Sequence, residues 1–432
     1  MELLSEIGRV LLGLWWVWLT FIAGWVFISI WIAWRQLVFK SLITWSLLEI
    51  KLPREAKKSA KAMEHILMNI WALRNTPGNM KEWYWDGETT LWFSFEIVSF
   101  GGDIHFYVRT PARYTNIIKA NFYGQYPECE VQEVEDYIDR FPDTVPGLYE
   151  NGYDIFGFEM FLKKNNAYPI RTYEYFESDE ETQNLDPIAP ILETLAKLDN
   201  DEIMMMQIIA RPAADPLALV KLANKEVEVL KEKFGKRSEK MQQLAADDLL
   251  GGLTSRTPGE TDIFKFVEGK ASKNAFDVVV RSLYLAPKAI FLVMHPYRSI
   301  RSSYQQFALP TCNFFDVNYR SWTRAWLWDP PYIFPKRVNA GRKARMWDLY
   351  RRRALPADTF TGKAAQFHVF TSTFTQKASL LNTEELATLW HLPTEAVLTQ
   401  PILERIESKK MGPPPGLPIF REGTQEPPGI MR

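Results

Sequence analysis

Residues 91–111 read LWFSFEIVSFGGDIHFYVRTP. Two runs rich in Phe, Ile, Val and Tyr flank the pair Gly101-Gly102. Aromatic and β-branched side chains suit a pleated surface, and paired glycines supply the positive φ angles of a tight turn. The spacing therefore predicts a β-hairpin. Upstream, Ala60, Met63, Ile66, Leu67, Ile70 and Trp71 recur at helical spacing within residues 56–75. Downstream, residues 112–123 suit a helix and CEVQEVEDY (129–137) an extended run, giving the order β-β-α-β.

A similar order follows. YDIFGFEMFL (153–162) and PIRTYEYF (169–176) flank a polar turn, PIAPILETLAKL (187–198) is helical, and EIMMMQIIA (202–210) reads as a buried strand. Residues 217–250 form a long charged helix with Glu and Lys three or four apart. GGLTSRTPGET (251–261) then breaks the pattern. Beyond it, NAFDVVVRSLYLAP (274–287) and FHVFTSTF (367–374) read as strands around a helix at 297–307. The expected fold class is α+β: an N-terminal transmembrane helix, then mixed sheet-and-helix subdomains built from two ββαβ-like units. The expected divisions are 1–52 (helix and interfacial segment), 53–250 (first α+β domain), 251–262 (linker), 263–410 (second α+β domain) and 411–432 (a Pro/Gly-rich tail).

The N-terminal assignment rests on composition. Six of the 16 tryptophans fall within the first 34 residues, and Ile7 to Trp34 carries no charge after Arg9. As a helix this run spans roughly 40 Å, more than the ~30 Å hydrocarbon core of a bilayer. It is too long and too bulky for a signal peptide. Arg35, Lys40, Lys51, Arg54, Lys57, Lys58 and Lys61 follow it, so the positive-inside rule places the body in the cytoplasm, at the inner membrane. Leu37 to Ile50, interrupted by Lys40 and Glu49, reads as an interfacial continuation, with a second span as the alternative.

Several chemistries are excluded or find no support. None of the Gly-Lys pairs (235–236, 269–270, 362–363) fits a phosphate-binding loop, so the chain is not itself a P-loop ATPase. The five histidines form no ligand-spaced pair, and His105 reads as a satisfied core or edge residue. No serine sits in a nucleophile elbow. Two cysteines support no disulfide framework, and no cofactor is implied. Glu133, Glu135 and Asp136 alternate with Val131, Val134 and Tyr137, as on a half-buried strand; Met204, Met205 and Met206 read as core. With 51 basic and 52 acidic residues, overall charge points to no polyanionic partner.

One local charge run does stand out. Between residues 336 and 353 lie Lys336, Arg337, Arg342, Lys343, Arg345, Arg351, Arg352 and Arg353 against Asp348 alone, with Trp322, Trp326, Trp328, Tyr332, Trp347 and Tyr350 nearby. Cations with aromatics suit a nucleic acid, an anionic lipid surface or an acidic protein patch. A solvated basic face without a ligand is the alternative.

LNTEELATLWHLP (381–393) offers Asn382 as a helix cap, Glu385 three places on to close a capping box, and Pro393 as a stop after about three turns. A second short helical pattern, PILERIESKK (401–410), and MGPPPGLP (411–418) follow. Together with the hairpin, QYPECEVQEVEDY, FDVVVRSLY and FTSTF, these strings resemble the membrane-anchored N-terminal region associated with VirB4/TraG/HerA-like ATPases of type IV secretion and conjugation systems. In that family such a segment precedes the motor domain. The resemblance implies a separate P-loop ATPase as partner, a docking role for the tail, homo-oligomerisation, and no catalytic residues in this chain. The expected function is a non-enzymatic, membrane-anchored scaffold for DNA translocation. Alternatives are a membrane-surface structural protein and a membrane-tethered enzyme.

Overall fold

A computed structural model describes residues 15–51, 59–177, 185–245, 258–292, 294–324, 334–357 and 378–394, besides residues 13, 359, 362 and 363. In chain order the elements are α1 (Trp15–Ser41), β1 (Trp45–Lys51), α2 (Ala60–Ala72), a π-helical turn (Glu82–Asp86), β2 (Phe93–Phe100), β3 (Asp103–Pro111), α3 (Thr115–Gln125) and β4 (Glu130–Val134). Then come a 3-10 turn (Tyr137–Arg140), α4 (Val145–Glu150), β5 (Tyr153–Leu162), α5 (Ala189–Ala196), β6 (Ile203–Pro212), α6 (Ala218–Ala245) and α7 (Pro258–Ala271). β7 (Ala275–Pro287), α8 (Met294–Tyr304), β8 (Phe315–Val317), α9 (Pro335–Arg351), β9 (Ser379–Asn382) and α10 (Thr383–Leu389) complete it.

The strands form one antiparallel sheet in the order β4-β1-β3-β2-β6-β7-β5-β8, with β9 also on β7. The β2–β3 hairpin forms as its residues demand. Phe100 pairs with Asp103, and Gly101 and Gly102 have φ of +58° and +91°. A side chain at Gly101 would collide with the Asn200 backbone, so glycine is required there twice over.

The sheet corrects the expected division at 251–262. β7, from beyond that segment, pairs with β6 on one side and β5 on the other, so the two halves share one sheet and one core. FHVFTSTF, residues 401–410 and the tail 411–432 lie outside the described residues. Leu37–Ile50 is also corrected. It is neither an interfacial helix nor a second span: α1 runs to Ser41, and residues 45–51 form β1 between β3 and β4. Glu49, which interrupted the apolar run, bonds His105 Nδ1 at 2.7 Å.

PIRTYEYF is likewise not a strand. Ile170 N–H donates to the Glu385 carboxylate and Tyr173 N–H to Thr388 Oγ1, each at 2.9 Å. Side chains from α10 thereby take the backbone donors that a sheet partner would need, and only a 3-10 turn (Tyr173–Tyr175) forms.

Alternation along the strands sorts residues onto two faces. One carries Phe95, Phe106, Phe156, Met204, Met206 and Val280 and is covered by α2, α3, α5, α8 and α10. Trp390 anchors it, 1% exposed, with its ring 5.2 Å from that of Phe95 and 6.0 Å from that of Phe106. The capping box of Asn382 and Glu385 is present as expected, although the helix ends at Leu389 after about two turns. LNTEELATLWHLP is thus part of the core. The three methionines are buried, with Met205 on the opposite face from its neighbours.

α1 is long and apolar enough to cross a membrane. It is also bare: Trp16, Trp18, Phe21, Trp25 and Phe27 are each more than half exposed. Only its last part meets the body, where Ile32 and Gln36 are buried. There Trp31 Nε1–H donates to the Tyr84 carbonyl at 2.7 Å, and Arg35 Nε–H donates to that of Trp85. Gly87, at φ +68°, lets the chain pass so close to Arg35 that a side chain would strike its backbone.

Candidate functional site

The second sheet face carries polar side chains in register. Glu49, Tyr107, Glu96, Gln207, Arg281 and Glu159 occupy directly opposed positions on β1, β3, β2, β6, β7 and β5. α9 lies over this face. Its Val338, Arg342, Met346 and Tyr350, four residues apart, form the buried stripe. A helix so poor in apolar residues packs here because the surface beneath it is itself partly polar.

Of the eight cations between 336 and 353, four (Lys343, Arg351, Arg352 and Arg353) pair with acids among the described residues. Arg353 is wholly buried and pairs with Glu96 (Nε–Oε1, 3.0 Å) and Asp136 (Nη1–Oδ2, 2.6 Å). Burial pushes the Glu96 carboxyl up, but the Arg353 charge and hydrogen bonds more than reverse this and hold it below its ordinary range. Tyr137 Oη–H also donates to Glu96, at 2.6 Å. Arg353 has φ +47°, a left-handed conformation sustained by this buried network.

Lys343 pairs with Asp154 at 2.6 Å. Arg351 pairs with Asp143 and donates to the carbonyls of Ile138 and Phe141. Arg342 is buried against the Trp322 carbonyl. Arg352 is exposed and pairs with Asp348 at 2.7 Å. Lys336 and Arg337 are exposed; Arg345 is half-buried, and burial lowers its pKa.

Beside the buried stripe runs a second: Arg337, Gly341, Arg345, Asp348 and Arg352, again at helical spacing. This stripe lines a cavity of about 1090 Å³ between α9, the sheet and the end of α1. The sheet side supplies Trp45, Trp92, Arg109 and Arg211, and α1 supplies Leu37, Lys40 and Ser41. Among the described residues, six cations (Lys40, Arg109, Arg211, Arg337, Arg345 and Arg352) and one acid, Asp348, line it. Arg211 is tied to Asp277 at 2.9 Å.

Aromatic rings flank two of these cations. Arg109 stacks 4.3 Å from the ring centroid of Trp45, and the Lys40 ammonium lies 5.8 Å from that of Trp92. Burial brings the Arg109 pKa down to about 10, with the Arg353 charge acting the same way. Arg109 therefore stays cationic at neutral pH. Three buried donors in this lining, Trp92 Nε1–H, the Thr89 hydroxyl and Arg109 Nη1, have no acceptor among the described residues. Among the described residues no cluster of His, Cys, Asp and Glu could hold a metal ion.

Residues 39–290 match the family described as Domain of unknown function (DUF8128). The chain belongs to that family. No curated protein matches it. The DUF8128 match takes in the end of α1 and β1 to β7, including Lys40, Trp45, Trp92, Arg109 and Arg211, and stops before α9. The cavity is thus closed by a helix that lies beyond the matched DUF8128 residues.

Sequence reading located Arg337, Arg345 and Arg352 but missed Lys40, Arg109 and Arg211, which are isolated in their strings. The available signal was the phase of the α9 charges: one stripe alternates with the buried stripe, where a plain count merges the two.

Proposed function

We propose that this chain is a single-pass membrane protein whose α+β body is held against the cytoplasmic face of the bilayer as a non-enzymatic scaffold. The observation that carries the reading is the bare helix α1, docked at its basic end onto the body through Trp31 and Arg35. Trp83, Tyr84 and Trp85 are partly exposed beside that junction, the place where a membrane protein sets its interfacial aromatics. Arg35 and Lys40 follow the apolar run on the body side, which supports a cytoplasmic body.

The partner in this reading is a separate P-loop ATPase of the type IV secretion kind, and the translocated substrate is DNA. This part rests on the family-like strings and on the lack of a phosphate-binding loop in the sequence. Pairing of Lys343, Arg351 and Arg353 with acids from elsewhere in the fold moves the weight from direct DNA contact toward the scaffold role. Copies of the chain would surround a ring-forming motor.

Carbonate extraction and protease protection of the full chain test the anchor. The chain should stay with membranes, with its body cleaved only when the cytoplasmic side is open to protease. A chain lacking residues 1–41 should leave the membrane yet stay folded, because β1 is retained. Release of the full chain by carbonate would overturn the reading. Co-purification with a P-loop ATPase from detergent extracts, lost when residues 411–432 are removed, tests the partner.

A further inference from the structure

We propose that the turn at residues 80–85 is a second membrane contact, seated in the headgroup interface of the bilayer beside the foot of α1. This rests on the reading that α1 spans the membrane, and it adds that the body makes its own contact with lipid.

Met80, Trp83, Tyr84 and Trp85 are 77%, 41%, 38% and 63% exposed, four large side chains within six residues. Single exposed apolar residues are ordinary on a protein surface, whereas a contiguous group marks an interaction surface. Trp and Tyr combine an apolar ring with a polar edge and collect where hydrocarbon meets water.

The polar groups of the turn are already answered. Trp31 Nε1–H and Arg35 Nε–H donate to the carbonyls of Tyr84 and Trp85, and Glu88 N–H donates to that of Glu82 at 2.9 Å. The Glu82 carboxylate accepts from Gly78 N–H and from Asn79 Nδ2–H, each at 2.7 Å. Entry into the interface therefore strips water from few unpaired groups. Lys81 is exposed, and its long stem lets the ammonium stay among lipid phosphates while the rings sit deeper.

Place selects lipid as the occupant. The rings of Trp34 and Trp85 lie 5.4 Å and 5.7 Å from that of Trp31, so helix and turn share one aromatic cluster. The apolar run of α1 ends at Trp34, just before Arg35. The turn thus stands level with the end of the span, at the depth of an aromatic belt.

The test uses the full chain in vesicles of phosphatidylcholine and phosphatidylglycerol, with a nitroxide on one introduced cysteine. Cys129 and Cys312 are buried, and burial pushes the Cys129 thiol up to about 12, so the introduced thiol is the one that reacts. Trp85→Cys and Met80→Cys report on the turn, and Phe21→Cys, at a bare position, reports on α1. Asn200→Cys, beside Gly101, reports on the end of β3 opposite the foot of α1. The bond from Arg35 to residue 85 is to the main chain and survives the substitution. Accessibility to oxygen, which collects in lipid, relative to a water-soluble nickel chelate should be about fivefold higher at 85 and 80 than at 200.

Equal ratios at 85, 80 and 200, with the label at 21 sheltered from the chelate, overturn this inference and leave the anchor standing. Low access to both reagents at 85 and 80 also overturns it, because it reports a protein contact. Chelate access at 21 as high as at 200 defeats the anchor and this inference with it.

Discussion

The two faces of the sheet are held by different physics. On the face with Phe95, Phe106 and Trp390, contact is apolar, and five helices share the cover. On the face beneath α9, carboxylates, guanidiniums and phenols meet in register, and Glu159–Arg281 and Glu96–Arg353 are paired out of water. Apolar contact is non-directional and scales with area, whereas buried ion pairs reward one geometry and penalise every other. The first face therefore supplies stability, and the second places α9 over the cavity.

Truncating Trp390 to Ala should show the largest effect, a loss of about 5 kcal/mol by denaturant unfolding, because the side chain is fully buried among aromatic rings. A loss below about 2 kcal/mol would mean that the apolar face is more forgiving than its packing implies. Arg353→Met should destabilise by about 3–4 kcal/mol, since Glu96 is left as an uncompensated buried charge. The double variant Arg353→Met/Glu96→Gln should recover part of that loss, whereas additive losses would break the claim that this face depends on pairing. Asn382→Ala removes the cap that holds α10 and should cost about 1 kcal/mol.

The smallest effect is a pH dependence at the edge of the polar face. Burial pulls the His105 pKa down, but the Glu49 hydrogen bond and the Asp103 charge outweigh it and raise the value above normal. A raised histidine stabilises the fold fully below its unfolded value near 6.5 and loses that contribution as pH rises through the folded value. Glu49 is correspondingly lowered by its hydrogen bond to His105. The unfolding midpoint should therefore fall modestly from pH 6 to pH 8, and His105→Asn should flatten that slope. An unchanged slope in the variant would assign the pH dependence elsewhere.

Legibility in the sequence followed the range of the interactions. The Gly101-Gly102 hairpin and the Asn382–Glu385 capping box are local, and both were readable from a few residues. β1 was not, because Glu49 looked like an interruption until His105, 56 residues on, supplied its partner. β7 was assigned to a second domain because its neighbours β5 and β6 lie before the 251–262 segment. The cations of 336–353 looked unopposed because Glu96, Asp136, Asp143 and Asp154 lie some two hundred residues earlier or more. The cavity combines both difficulties, drawing on α1, three strands and α9.

The junction at Trp31 and Arg35 has one more implication. Two hydrogen bonds and the close pass at Gly87 tie the foot of α1 to the body. If α1 lies in a bilayer as proposed, these contacts favour one side of the body facing the membrane.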